Sequence, residues 1–262
     1  MHENAKLQEI IQHENETWNN IFKKELENGK HSERYSSFWW QDYYGRITCF
    51  INAILIKNNL NKILEAGSGS GKASILLEKH THKTLLDISP KALEYAKHLA
   101  VKFNAENVSY VQGDIFSIPF ERNSFDLVWN IGVVEHYEGD EIKSIMGEMV
   151  RVTKSDGVVA VGVPNFYSGP TLKAWLLKFK LFKSFSGYRL ETEHFYKEAL
   201  LKRLLTESVV SNGRTVEWLM VKRFGNPLPM ETPRWMLQSL GEALAFVFPK
   251  SRFLTLVICK LK

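Results

Sequence analysis

The sequence predicts an α/β fold: seven strands in a mostly parallel sheet, with helices covering both faces. Three observations predict it. A strand, a glycine turn and a helix follow one another over Lys62-Ile-Leu-Glu-Ala-Gly-Ser-Gly-Ser-Gly71 and Lys72-Ala-Ser-Ile-Leu-Leu-Glu-Lys79. Short apolar runs then alternate with helical stretches at the spacing of repeated βα units, the connection that parallel strands require. Gly67, Asp87, Asp114 and Asn130 fall where those apolar runs end. Ligands of such sheets bind outside the carboxyl ends of the strands.

A chain of 262 residues is long enough for one large α/β domain and a cap. We expect a helical cap over 1–60 and the sheet domain over 61–262, with a helical insert at 165–190. Net charge is +5, mildly basic and by itself a weak pointer to nucleic acid or anionic membrane. Cys49 and Cys259 have no metal or redox spacing, which suits a reducing compartment. The first ten residues are polar, unlike a secretory signal. The longest apolar runs, such as Ala243 to Phe248, are too short to span a bilayer. A cytoplasmic protein is the expectation.

Residues 1–30 read as a helix, with Leu7, Ile10, Ile11, Trp18, Ile21, Phe22 and Leu26 at three-and-four spacing and Asn28-Gly29 as the stop. An aromatic-dense stretch, Tyr35 to Arg46, precedes a second helix at 47–58. It is either packed on the sheet edge or a lid over the ligand. The first strand ends at Glu65, and the second, Lys83 to Ile88, contains Asp87, 22 positions after Glu65. An acid at about 20 positions reaches ribose hydroxyls in nucleotide-binding βαβ units. Ser89 and Pro90 suit an N-cap and first helical position. Further strands are read at 108–112, 125–131 and 158–163, with a helix at about 140–153 between the last two and a turn at Ser155-Asp156-Gly157. The tail supplies a helix at 195–206, a strand at 215–221, a helix at 234–246 and a final strand at 253–259.

Three ligand classes compete for the glycine turn. A phosphate-cradling P-loop would need glycine at 66 and Ser or Thr at 73, where the chain has Ala66 and Ala73. A dinucleotide fingerprint would need glycine at 72, where it has Lys72. An acid, then alternating glycines at 67, 69 and 71, fits as it stands.

Four motifs occur in order: Glu65-Ala-Gly-Ser-Gly-Ser-Gly71, Leu86-Asp-Ile-Ser89, Gly113-Asp-Ile115 and Asn130-Ile-Gly-Val-Val-Glu-His136. Over 60–165 the chain resembles the Rossmann-like, class I S-adenosylmethionine-dependent methyltransferases of small-molecule type. The resemblance implies a three-layer sandwich whose last strand is antiparallel. It implies S-adenosylmethionine as cofactor and S-adenosylhomocysteine as product. It places the methionine part on the Gly67-Ser68-Gly69 backbone beside Glu65, the ribose on Asp87 and adenine against Ile88 and Ile115. Asp114 would accept from the adenine amino group, although an aspartate there also suits a plain turn, and Asn130 would lie near the methionyl group. Phe38-Trp-Trp40, Glu135-His136 and Val163-Pro-Asn165 are similar to ubiquinone-biosynthesis O-methyltransferases, which implies that Arg46 meets the cofactor carboxylate. Those enzymes carry further acids near the Glu-His pair for a divalent ion. Here Gly132 and Val133 stand there, so no metal is expected.

Residues 165–190 interleave Leu172, Trp175, Leu176, Phe179 and Phe182 with Lys173, Lys178, Lys180 and Lys183. A basic amphipathic helix of this kind packs on a core, covers an apolar substrate or lies on an anionic membrane. Together with the N-terminal aromatics it is expected to cover the acceptor. The acceptor is expected to be small or lipid-like. A peptide or RNA acceptor, or a non-catalytic S-adenosylmethionine binder, is the alternative. No RNA-binding motif is present. His136 is the first choice for a general base and His194 the second, since imidazole exchanges protons near neutral pH.

Overall fold

The computed structural model describes residues 2–27, 36–177 and 194–262. Its strands are β1 (Lys62–Ala66), β2 (His82–Asp87), β3 (Val108–Gln112), β4 (Phe125–Ile131), β5 (Thr153–Pro164), β6 (Val216–Phe224) and β7 (Leu254–Leu261). They form one sheet in the order β3-β2-β1-β4-β5-β7-β6. β7 runs antiparallel to both neighbours, and the other described pairings are parallel. The expected seven-stranded, mostly parallel sheet with an antiparallel last strand is therefore present.

Alternation along the central strands divides the core into two layers, because successive side chains of a strand point to opposite faces. Val159, Val161 and Val163 of β5 join one cluster, and Val158 and Ala160 the other. The first layer is covered by α5 (Gly139–Val152) and α7 (Glu198–Ser211), through residues such as Ile145, Met149, Leu201 and Leu205. The second is covered by α2 (Phe38–Lys57), through Trp39, Tyr43, Ile47 and Ile51. A third cluster joins β2 to α4 (Pro90–Lys102), and Phe22 and Leu26 of α1 (His2–Glu27) pack against it.

Several elements differ from expectation. The aromatic stretch and the 47–58 helix are one helix, α2, and its Trp39 and Tyr43 are buried against Phe253. The helix after the glycines, α3, spans only Lys72–Ile75. Ser74 is pinned there: its amide donates to Glu65 and its hydroxyl accepts from Trp129 Nε1 at 3.0 Å. Ser155-Asp156-Gly157 lies within β5 as an irregularity, where pairing steps from Phe125↔Thr153 to Leu127↔Val158. The expected 234–246 helix is divided into α8 (Arg234–Met236), a π turn (Leu237–Gly241) and α9 (Glu242–Val247). Asn226 Nδ2 donates to the Leu237 carbonyl at 2.8 Å, drawing off an acceptor of the helical ladder. The insert begins as α6 (Gly169–Leu176), and its expected remainder, from 178 to 190, lies outside the described residues. Among the described residues no helix is long and apolar enough to cross a membrane.

Candidate functional site

The glycine turn leaves β1 with all three glycines at positive φ, a region costly for side chains bearing Cβ. A Cβ on Gly67 would lie 2.8 Å from Val133, and one on Gly71 would lie 2.4 Å from Leu85. The turn is thus pressed against β2 and the loop after β4. Its amides are spent locally: Gly67 and Ser68 donate to the Leu86 carbonyl, and Gly69 donates to Asp87 Oδ2 at 2.7 Å.

Asp87 closes β2, and its other oxygen accepts from the Ser89 amide at 2.9 Å. Ser89 caps α4 through the Ala92 amide, as expected. Burial pushes the Asp87 carboxyl up to about 6 against the pull of these amides. Glu65 lies beneath the turn, buried and pushed up to about 7 by that burial.

A cleft of about 830 Å³, counting its open mouth, lies at the carboxyl ends of β1, β2 and β4. Of the expected site residues, Gly67, Ser68, Gly69, Asp87, Ile88, Asp114, Ile115 and His136 line it. Asp114 is half-buried, and burial raises its carboxyl. It also accepts from the Phe116 amide at 2.9 Å, so the turn role and the cleft position coincide in one residue. Asn130 is fully buried behind the cleft, its amide nitrogen 3.4 Å from Met149 Sδ and its oxygen without a hydrogen-bond partner among the described residues. Arg46 is not brought to the cleft: its guanidinium is held by Asp42 at 2.8 Å and Glu242 at 3.1 Å. His194 is also outside the lining, with Nδ1 3.1 Å from Glu138. Its amide donates to the Glu135 carbonyl at 2.7 Å, which fastens it beside the turn that carries His136.

The fourth wall of the cleft comes from α1, which contributes Ile11, Glu14, Trp18 and Phe22. Trp18 meets His136 edge-on at 5.4 Å between ring centroids and donates to Glu14 at 2.7 Å. Asn19 Oδ1 accepts from the Ser89 hydroxyl at 2.8 Å. Of the two readings of the aromatic stretch, packing holds for its described residues: Trp39 and Tyr43 are core, none of 36–46 lines the cleft, and α1 supplies that wall instead. Periodicity marked Trp18 and Phe22 as an apolar face without showing what that face covers. The chain there is amphipathic whichever surface it meets.

Charge decides between ligand classes. Three carboxylates, Glu14, Asp87 and Asp114, line the cleft, and among its described lining residues there is no lysine or arginine. Lys72, the residue that a P-loop would use, is buried with its ammonium over the rings of Tyr44 at 4.7 Å and Phe103 at 5.2 Å. Phosphates recruit cations and free backbone amides, so the lining fits a neutral diol and a positive group better than a pyrophosphate. The buried Ser68 hydroxyl, which also lines the cleft, has no hydrogen-bond partner among the described residues. A nucleoside with a cationic side arm fits these donors and acceptors. Among the described residues no group of three His, Cys, Asp or Glu could hold a metal ion.

Residues 64–161 match the family model described as a methyltransferase domain. The chain is 35% identical over 103 residues to a sterol 24-C-methyltransferase of Gibberella zeae, a match covering 38% of this chain and 26% of that one. It is 31% identical over 121 residues to the chloroplastic 2-methyl-6-phytyl-1,4-hydroquinone methyltransferase 1 of Oryza sativa subsp. japonica, covering 45% of this chain and 34% of that one. The matches thus span less than half of either relative. In fold the chain is similar to magnesium protoporphyrin IX methyltransferase from Synechocystis PCC 6803 with bound S-adenosylhomocysteine. The TM-score is 0.58 at 16% identity, covering 95% of this chain and 98% of that one. Motifs, sheet order and family match agree: over residues 64–161 the chain carries a methyltransferase domain of the Rossmann-like, class I S-adenosylmethionine-dependent family.

Proposed function

We propose that the protein transfers a methyl group to oxygen or nitrogen of a small or lipid-like acceptor. The observation that carries this reading is the acid-lined cleft around Asp87, with no lysine or arginine among its described lining residues. S-adenosylmethionine, when bound, supplies an electrophilic methyl group on a positively charged sulfur. The Asp87 oxygens, each with a lone pair beyond its backbone donor, accept from the ribose hydroxyls. Ile88 and Ile115 flank adenine, and Asp114 accepts from its amino group. Gly67, Ser68 and Gly69 hold the methionine part, with Asn130 behind it and Glu65 supporting the loop. Carboxylates around the cleft favour the cation, and α1 excludes water from it, so alignment supplies most of the rate.

The acceptor side is aromatic. Beyond β5, Phe166 meets Phe195 at 4.9 Å and Trp175 at 6.4 Å between ring centroids. Phe195 follows His194, which is tied to Glu135, so this cluster adjoins the His136 turn. The two curated relatives are named for a sterol and a phytyl hydroquinone, both largely apolar acceptors. The reaction is tested by incubating the protein with methyl-labelled S-adenosylmethionine and a cell extract, then separating the lipid, small-molecule, protein and RNA fractions. Label in the lipid or small-molecule fraction is expected. Label confined to protein or RNA, or no turnover at all, contradicts the proposal.

Trp18→Ala is expected to weaken S-adenosylmethionine binding about 3–10-fold, the scale of one lost aromatic contact. Titration calorimetry checks this, and unchanged affinity would detach α1 from the cofactor.

Affinity is also expected to depend on pH through Asp87. Its folded carboxyl lies near 6, above the ordinary 3.8. Folding therefore favours the neutral acid, and that contribution to stability, full below about 3.8, is lost as pH rises through 6. Ligand binding runs the other way, because the ionised form is the better acceptor for two hydroxyls. S-adenosylmethionine affinity should fall as pH drops through about 6, and in Asp87→Asn this dependence should vanish.

A further inference from the structure

We propose that the protein docks on anionic bilayers through its C-terminal helices α8 and α9 and the adjoining α6. The apolar side chains there are exposed to a degree that packing does not explain: Trp235 69%, Phe246 88%, Val247 63% and Phe248 60%. Trp175 and Leu176 of α6 are exposed as well. α6 is tied to the chain leading into α8 by the Gly169 amide on the Pro227 carbonyl and by Lys173 on Glu231 at 2.8 Å. Asn165, just before α6, donates to the carbonyls of Lys250 and Arg252, just beyond α9. The two apolar groups therefore flank one junction.

Charge selects the occupant. Over 157–177 the sequence has one basic residue, Lys173, and no acidic one, and from 231 to 252 it has three basic residues against two acidic. Both acids are neutralised: Glu242 is bridged by Arg46 and Arg252, and Glu231 by Lys173. Arg234 and Lys250 remain beside the apolar side chains, and both are exposed. Tryptophan and phenylalanine with long basic side chains between them match the boundary between lipid headgroups and acyl chains. A second copy of the chain would bring these like charges together.

Flotation with vesicles tests the proposal, using phosphatidylcholine alone and an equal mixture of phosphatidylcholine and phosphatidylglycerol. Wild-type protein is expected to float with the mixed vesicles, to float weakly with the neutral ones, and to be released as salt rises. The triple variant Trp235→Ser, Phe246→Ser, Phe248→Ser is expected to partition about ten-fold less or weaker, while circular dichroism and S-adenosylmethionine affinity stay those of the wild type. Equal flotation with neutral and anionic vesicles, or undiminished flotation of the triple variant, overturns the proposal. So does a wild-type dimer in sedimentation equilibrium that the triple variant dissociates, since a second copy is then the occupant. None of these readings depends on turnover, so they stand apart from the outcome of the methyl-transfer assay.

Discussion

His136→Ala is expected to slow turnover about 10²–10⁴-fold with cofactor saturating, the usual contribution of a general base. It is expected to change S-adenosylmethionine affinity little. His136 lines the cleft at the end of the loop after β4, on the side where the acceptor cluster adjoins. Its ring is steadied by the edge-on contact with Trp18. A hydroxyl or ammonium acceptor must lose its proton as the new bond forms, and imidazole takes it readily at working pH. The acidic limb of the pH–rate profile should disappear with the side chain. His194→Ala is the comparison, because His194 sits on the exposed side of the same turn, engaged with Glu138. It should cost far less. If His136→Ala keeps wild-type turnover and its acidic limb, another group takes the proton or the acceptor arrives without one to lose.

Asp87→Ala is expected to cost about 2–3 kcal/mol of cofactor affinity, the range for hydrogen bonds to a charged group, or roughly 30–150-fold in Kd. Part of that cost is direct, from the lost acceptors. Part arises because Gly69 and Ser89 donate to the two carboxylate oxygens, so removal also leaves their amides without partners. Asp87→Asn separates the two. Its amide oxygen can still serve one backbone donor, so it should retain more of the fold's local order while losing the charge. Unaltered affinity in a folded Asp87→Ala protein would sink the role.

Much of the sheet was legible because β2 to β5 are strand-length apolar runs whose ends coincide with polar residues of binding type. The boundaries of β3 and β4 were read as found. The Asp87–Ser89–Pro90 junction was legible for the same reason: an acid, a cap and a first-turn proline leave little choice of conformation. Residues whose role depends on distant partners were not legible. Arg46 looked available until Glu242, 196 positions away, was seen to bind it. Trp39 and Tyr43 could be read as packed or as lid aromatics, and with Ile47 and Ile51 they form a four-residue repeat that buries one face of α2. Trp18 and Phe22 sat in an equally plain repeat, but their face closes the cleft. The difference lies in docking position, which local periodicity does not encode. The break between α8 and α9 likewise depends on Asn226, which precedes the π turn and takes one of its carbonyls.

The central claim is that this cleft holds a cationic nucleoside rather than a phosphate-bearing cofactor. Calorimetric titration of the wild-type protein at neutral pH with S-adenosylmethionine, S-adenosylhomocysteine and NAD tests it most directly. We predict saturable one-to-one binding of the first two and no detectable heat of binding for NAD. A folded protein that binds NAD and neither of the adenosyl ligands would contradict the account.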